Sequence, residues 1–243
     1  MLAENRTVLG VIVTIPSVQV VQALAQTPLD FIIIDMEHGP IDFAAAHAMI
    51  AATSGTRLTP FVRITHNTVQ HAKLPLDLGA MGICFPMIST REDAEAAARA
   101  VRYPPAGERY WGPFYASMRY GQSIPAYLES ANREIMTMGT IEHIDAVSNL
   151  PEIVSTPGVD SLAIGPGDLA TSMGLGGQIN HPDVQAAIAS IEKIVLPSKV
   201  PLGGVAHTAE QLRAMTQRGY KIIVVGFDWS ILQRGVLTVT GSL

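Results

Sequence analysis

The sequence predicts a closed (β/α)8 barrel, the TIM-barrel fold, filling residues 1–243 as one domain. Three observations carry that expectation. Eight short apolar runs rich in β-branched residues recur roughly every 30 residues, with Ala-rich helical stretches between them. The runs are apolar throughout instead of alternating, as the strands of a covered parallel sheet are. The chain is also 48% hydrophobic and 15% charged over 243 residues, enough for one large core. An open doubly wound sheet is the other arrangement the same pattern allows.

The elements follow in order. Residues 8–15 (VLGVIVTI) form the first strand and 31–36 (FIIIDM) the second, which ends in Asp35, Glu37 and His38. Gly39-Pro40 then leads to a helix over 42–53 with Asp42 as its cap. A third strand, 59–65 (TPFVRIT), precedes a helix over 67–78 that Gly79 stops. The fourth strand is 82–88 (GICFPMI). Its helix, 90–102, starts on Thr90 with Asp93 three residues on. Residues 103–124 (YPPAGERYWGPFYASMRYGQSI) read as a long loop with six aromatics, of a length that usually serves function or an interface. The later strands are 135–142, 161–165, 201–207 and 221–227, with helices over 144–155, 182–196 and 208–218. Thr208 with Gln211, and Gly219, bracket the last of these helices.

Composition removes several function classes. The net charge is −5 with Lys and Arg scattered, so no footprint for nucleic acid or anionic membrane exists. The single Cys84 excludes an intramolecular disulfide and a cysteine metal cluster. MLAENRTVLG lacks the basic and apolar segments of a signal peptide, and no apolar run approaches a membrane span. The expectation is a soluble cytoplasmic enzyme. Its apolar excess hints that subunit contacts cover part of the surface.

A barrel gathers its active site at the C-terminal ends of its strands. Those ends carry Asp35, Glu37, His38, Arg63, Glu142, His143, Gly167, Asp168, His207 and Asp228. A packed barrel does not need such residues there. Glu142 and Asp168, at adjacent strand ends, suit a hard divalent cation such as Mg²⁺ or Mn²⁺, and a carboxylate site could also accept Zn²⁺ or Co²⁺. Arg63 offers a donor fork to a carboxylate or a developing enolate oxygen, and His38 is the natural general base. Together these parts point to enolate chemistry beside a carboxylate. Each also has a plainer reading. Asp35 could serve only to orient its loop, His143 and His207 could be supporting residues, and Asp42 and Asp228 helix caps. His47, His66 and His71 fall on helical stretches and read as surface or packing residues. Gly165-Pro166-Gly167-Asp168-Leu169-Ala170 fits a dinucleotide turn, but it follows the sixth strand instead of the first, which argues against that use.

Six ordered stretches closely resemble the class II pyruvate aldolase family, which includes 4-hydroxy-2-oxoheptanedioate and 2-dehydro-3-deoxyglucarate aldolases and macrophomate synthase. They are DMEHGP (35–40), PFVRI (60–64), LDLGAMGICFPM (76–87), RYPPAGER (102–109), IEH (141–143) and GVDSLAIGPGDLATSMG (158–174). The resemblance implies retro-aldol cleavage of a 4-hydroxy-2-oxo acid to pyruvate and an aldehyde. It implies a homohexamer of dimers that exchange their last helix. It places Glu142 and Asp168 as metal ligands, His38 as base with Asp77 behind it, Arg63 on the enolate, and the Gly167 backbone on the pyruvate carboxylate. Asp35 and Glu37 take supporting positions. Thr140 stands where the family commonly has a substrate-contacting Gln, and Arg109-Tyr110-Trp111-Gly112-Pro113 replaces its Arg-Gly-x-Gly. An altered acceptor pocket follows. The rival readings are an oxaloacetate decarboxylase or a macrophomate-synthase-like enzyme using the same enolate, a citrate-lyase-type acyl-CoA lyase, against which the lack of an obvious basic CoA pocket speaks, and, outside enzymes, a silent metabolite-binding barrel.

Overall fold

The computed structural model describes residues 6–241. Residues 1–5, half of the stretch read for a signal peptide, and residues 242–243 lie outside it. The eight strands are β1 (Val8–Val13), β2 (Phe31–Asp35), β3 (Thr59–Arg63), β4 (Gly82–Phe85), β5 (Met136–Ile141), β6 (Ser161–Ile164), β7 (Leu202–Val205) and β8 (Ile222–Phe227). They close into one barrel in chain order, and every pair is parallel. Pairing of β1 with β8, Val8 opposite Ile222, rules out the open sheet.

Eleven helices are described: α1 (Val18–Leu24), α2 (Phe43–Ala52), α3 (Val69–Asp77), α4 (Arg91–Ala100), α5 (Phe114–Arg119), α6 (Ile124–Glu134), α7 (Ile144–Ser155), α8 (Pro166–Ser172), α9 (Pro182–Val195), α10 (Ala209–Arg218) and α11 (Asp228–Thr240). The capping chemistry works as the sequence implies. Thr90 accepts from the Asp93 amide while Asp93 reaches back to the Thr90 amide, and Gly219 closes α10 in the left-handed region at φ 105°. The expectation of a long loop over 103–124 is corrected, since α5 lies inside that stretch and Ser123 caps α6. Five helices have no range in the sequence expectation: α1, α5, α6, α8 and α11. Neither α5 nor α8 has a side-chain cap bond to announce it, and both have seven residues or fewer.

The strands are apolar on both faces because they separate two apolar layers. Inside the barrel pack Ile12, Phe31, Ile33, Phe61, Met138 and Val224. Outside, Ile32, Ile34, Val62, Ile83 and Ile223 pack with buried helix residues such as Met49, Leu76 and Ile191. Phe31 and Phe61 meet edge to face with centroids 5.8 Å apart. Gly10 makes their room, because a Cβ there would lie 2.3 Å from the Phe31 ring.

Asp228 does not act at the cap position, which Phe227 occupies. Its buried carboxylate accepts from the Thr14 amide and hydroxyl and from the Ile15 amide, at 2.9–3.1 Å. It therefore clasps the end of β8 to the end of β1. Among the described residues no helix is long and apolar enough to cross a membrane.

Candidate active site

Strand periodicity builds the site. Side chains two apart share a face, so Phe31, Ile33 and Asp35 of β2 and Phe61 and Arg63 of β3 step up the barrel interior. Register sets Asp35 opposite Arg63. Arg63 Nε donates to Asp35 Oδ1 at 2.8 Å and Nη2 to Oδ2 at 2.6 Å, a two-armed pair beneath the site. Asp35 is fully buried. Burial raises its carboxyl pKa, but Arg63 and the Glu37 and His38 amides more than offset that and hold it below the usual range. Among the described residues Arg63 Nη1 makes no hydrogen bond, and Arg63 lines a cavity of about 300 Å³ at the C-terminal ends of the strands.

The same cavity brings together His38, Thr140, Glu142, Gly167 and Asp168. Thr140 ends the inward face of β5, and Glu142 follows two residues on. Glu142 is buried, and its Oε1 accepts from the Met87 amide at 2.6 Å. Met87 takes φ 54° to aim that amide, the one non-glycine residue in the left-handed region among those described. Gly165 lets the strand end pass Glu142, since a Cβ there would lie 2.7 Å from Oε2. Burial pushes the Glu142 carboxyl up to about 7, against the Met87 bond and with help from Glu37 and Asp168. Glu37 is also raised, first by burial. Asp168 stands exposed in the first turn of α8, and the Gly167 backbone beside it is open.

His38 is exposed at the rim, its Nε2 3.7 Å from Glu37 Oε2. Glu37 Oε2 is also 3.3 Å from Arg63 Nε. Asp77 lies elsewhere. It is buried at the end of α3, where Lys73 donates to Oδ2 at 2.6 Å and Arg109 to Oδ1 at 3.0 Å. No bond between Asp77 and His38 forms among the described residues. His143 caps α7 by accepting from the Asp145 amide. His207 lines the cavity with its backbone pinned, its amide on Gln211 and its carbonyl bonded by Arg234.

Two groups escape sequence reasoning, one in the site and one beside Asp77. The Met87 amide is main chain, so no residue type advertises it. Arg109 is fully buried beneath the aromatic stretch, 4.4 Å over the Tyr103 ring, though its Pro/Gly-rich surroundings read as surface loop. Its place in RYPPAGER was the available signal.

Among the described residues no group of three or more His, Cys, Asp or Glu side chains forms a closed metal cage. The donor set nonetheless fits a hard cation with open positions. Glu142 Oε2 accepts no hydrogen bond among the described residues, Asp168 raises the proton affinity of both Glu37 and Glu142, and Glu37 raises that of Glu142. A divalent cation would relieve that repulsion. Cys84, buried in the floor against Met138, has its thiol pushed up to about 12 by burial and is no competing ligand. Chemically, the cavity can hold an anion at Arg63, build negative charge on an adjacent oxygen, and move a proton at His38.

The family model for HpcH/HpaI aldolase/citrate lyase matches residues 10–234. A 4-hydroxy-2-oxo-heptane-1,7-dioate aldolase of Klebsiella pneumoniae is 37% identical over 88% of this chain and 81% of its own. A hydroxypyruvate/pyruvate aldolase of Sagittula stellata is 36% identical over 92% of this chain and 88% of its own. The crystal structure of an HpcH/HpaI aldolase/citrate lyase family protein from Burkholderia cenocepacia superposes with a TM-score of 0.89 at 31% identity, covering 97% of this chain and 94% of that one.

Proposed function

Because the chain belongs to the HpcH/HpaI aldolase/citrate lyase family, we propose that it is a divalent-cation-dependent pyruvate aldolase. It would cleave 4-hydroxy-2-oxo acids, reversibly, to pyruvate and an aldehyde. The observation that carries the reading is Arg63, braced on Asp35 with Nη1 unengaged, in one cavity with Glu142, Asp168 and His38. Glu142 and Asp168 would hold the cation, Mg²⁺ or Mn²⁺ before Co²⁺ or Zn²⁺, which when bound polarises the carbonyl of the 2-oxo acid. The Gly167 amide receives the substrate carboxylate at the start of α8, near Thr140. His38 takes the C4-hydroxyl proton, with Glu37 beside it. The C3–C4 bond breaks, the aldehyde carbonyl forms, and its electron pair passes into the pyruvate enolate. Arg63 donates from Nη1 to the enolate oxygen, where charge develops. Protonation at C3 then yields pyruvate.

The chain would work as a cytoplasmic homo-oligomer, a hexamer by its resemblance. The exposed apolar residues Leu232, Val236, Leu237 and Val239 on α11 support burial of that helix in an assembly.

Pyruvate release from a 4-hydroxy-2-oxo acid, followed by coupled oxidation of NADH, tests the function. Activity should vanish in EDTA and return with Mn²⁺. Full turnover after thorough chelation would remove the cation from the mechanism. Failure to release pyruvate from any such acid would remove the aldolase reading.

A further inference from the structure

The cavity is asymmetric in charge. Arg63, Glu142, Asp168 and the Gly167 backbone occupy the sector from β3 to β6. The opposite sector, from β7 through β8 to β1, is apolar apart from His207: Val205, Val224, Phe227 and Ile12, with Ile179 at the rim. His38 follows β2, beside that apolar sector, so the carbon bearing the hydroxyl it deprotonates faces this wall. A group attached to that carbon therefore lies against the apolar sector.

No guanidinium or ammonium waits there. Among the described residues Arg63 is the one Lys or Arg lining the cavity, and Nε and Nη2 are committed to Asp35. Arg234 comes near but has both terminal nitrogens on backbone carbonyls, those of His207 and Val225. An anionic tail packed on this wall would lose its water and find no guanidinium or ammonium to replace it.

We infer that the aldehyde this site takes is uncharged, a short aldehyde with an apolar tail instead of one ending in a carboxylate, sulfonate or phosphate. The inference rests on the aldolase reading and deepens it. It also separates this chain from its 4-hydroxy-2-oxo-heptane-1,7-dioate relative, since removing three carbons from that relative's named compound leaves a four-carbon aldehyde with a terminal carboxylate.

The test pairs two four-carbon aldehydes, butyraldehyde and succinic semialdehyde, which differ at the tail. Each is condensed with saturating pyruvate and Mn²⁺. Exchange of pyruvate C3 protons with D2O, which needs no aldehyde, is followed separately. We expect exchange, and a kcat/KM for butyraldehyde about tenfold or more above that for succinic semialdehyde. Ile179→Arg at the half-open rim, and independently Val205→Lys, should move the ratio toward succinic semialdehyde. Exchange with equal or better use of succinic semialdehyde would overturn the inference and leave the aldolase reading standing. So would a ratio that neither folded variant moves. Absence of both exchange and condensation would overturn the two together.

Discussion

Arg63 gives two of its three nitrogens to Asp35 and keeps one for the cavity. That division makes it a rigid donor, since a guanidinium held at two points cannot swing with the substrate. Arg63→Ala should lower kcat by about 10²–10³ and suppress exchange of pyruvate C3 protons measured by NMR, as expected for a lost donor to a developing oxyanion. Unchanged exchange would refute the role. Arg63→Lys should rescue little, because one ammonium cannot meet both Asp35 oxygens and the substrate. Arg63 and Glu142 are legible in the sequence because strand periodicity places them on the inward face at the catalytic rim. What fixes Glu142 is not legible. Its partner is a backbone amide, and the left-handed turn at Met87 that presents it has no glycine to mark it.

At the scale of elements, the aromatic stretch is bolted to α3. Buried Arg109 links Asp77 to the Tyr127 hydroxyl and lies over Tyr103, while Arg119 donates to the Ile50 carbonyl on α2. Arg109→Met would leave Asp77 buried with Lys73 alone. It should cost about 3 kcal/mol by thermal or urea unfolding. Tyr110, Trp111 and Phe114 are exposed already, and loosening of their backbone should let chymotrypsin cut there at lower enzyme concentrations than the parent needs. An unchanged midpoint together with unchanged cleavage would show that the bolt is dispensable. Eight strands and six helices are legible here because apolar runs, hydroxyl caps and stop glycines agree with one another. The helix at 114–119 is hidden because it lacks a side-chain cap and its exposed face is aromatic instead of polar. The Asp77–Arg109 bond is hidden because its partners stand 32 residues apart, with nothing periodic between them.

At the scale of the molecule, the buried Glu142 carboxyl is a source of instability that a cation, if bound as proposed, would cancel. The unfolded chain releases the Glu142 proton near the ordinary 4.5, whereas the folded protein holds it to about 7. Between those values the folded state binds more protons, so stability present at low pH is lost as pH rises through about 7. The loss amounts to about 3 kcal/mol. Glu37 acts in the same direction, and Asp35, held below its ordinary value, acts oppositely under more acid conditions. Calorimetry of metal-free protein should show Tm falling between pH 5 and 8. Glu142→Gln should flatten that fall, and Mn²⁺ at pH 8 should restore Tm only in the parent. A slope surviving in the glutamine variant would place the titration elsewhere.

The Asp228 clasp adds a consequence in time. Thr14 and Asp228 are 214 residues apart in the chain. A ribosome adding roughly 5–20 residues each second leaves β1 an unsealed edge for about 10–40 s before its partner strand and that carboxylate have been made. For that interval a nascent chain presents an apolar strand with open hydrogen-bonding groups, the kind of surface that recruits chaperones or neighbouring chains. Premature stops between β7 and residue 228 should therefore yield aggregates, not smaller barrels.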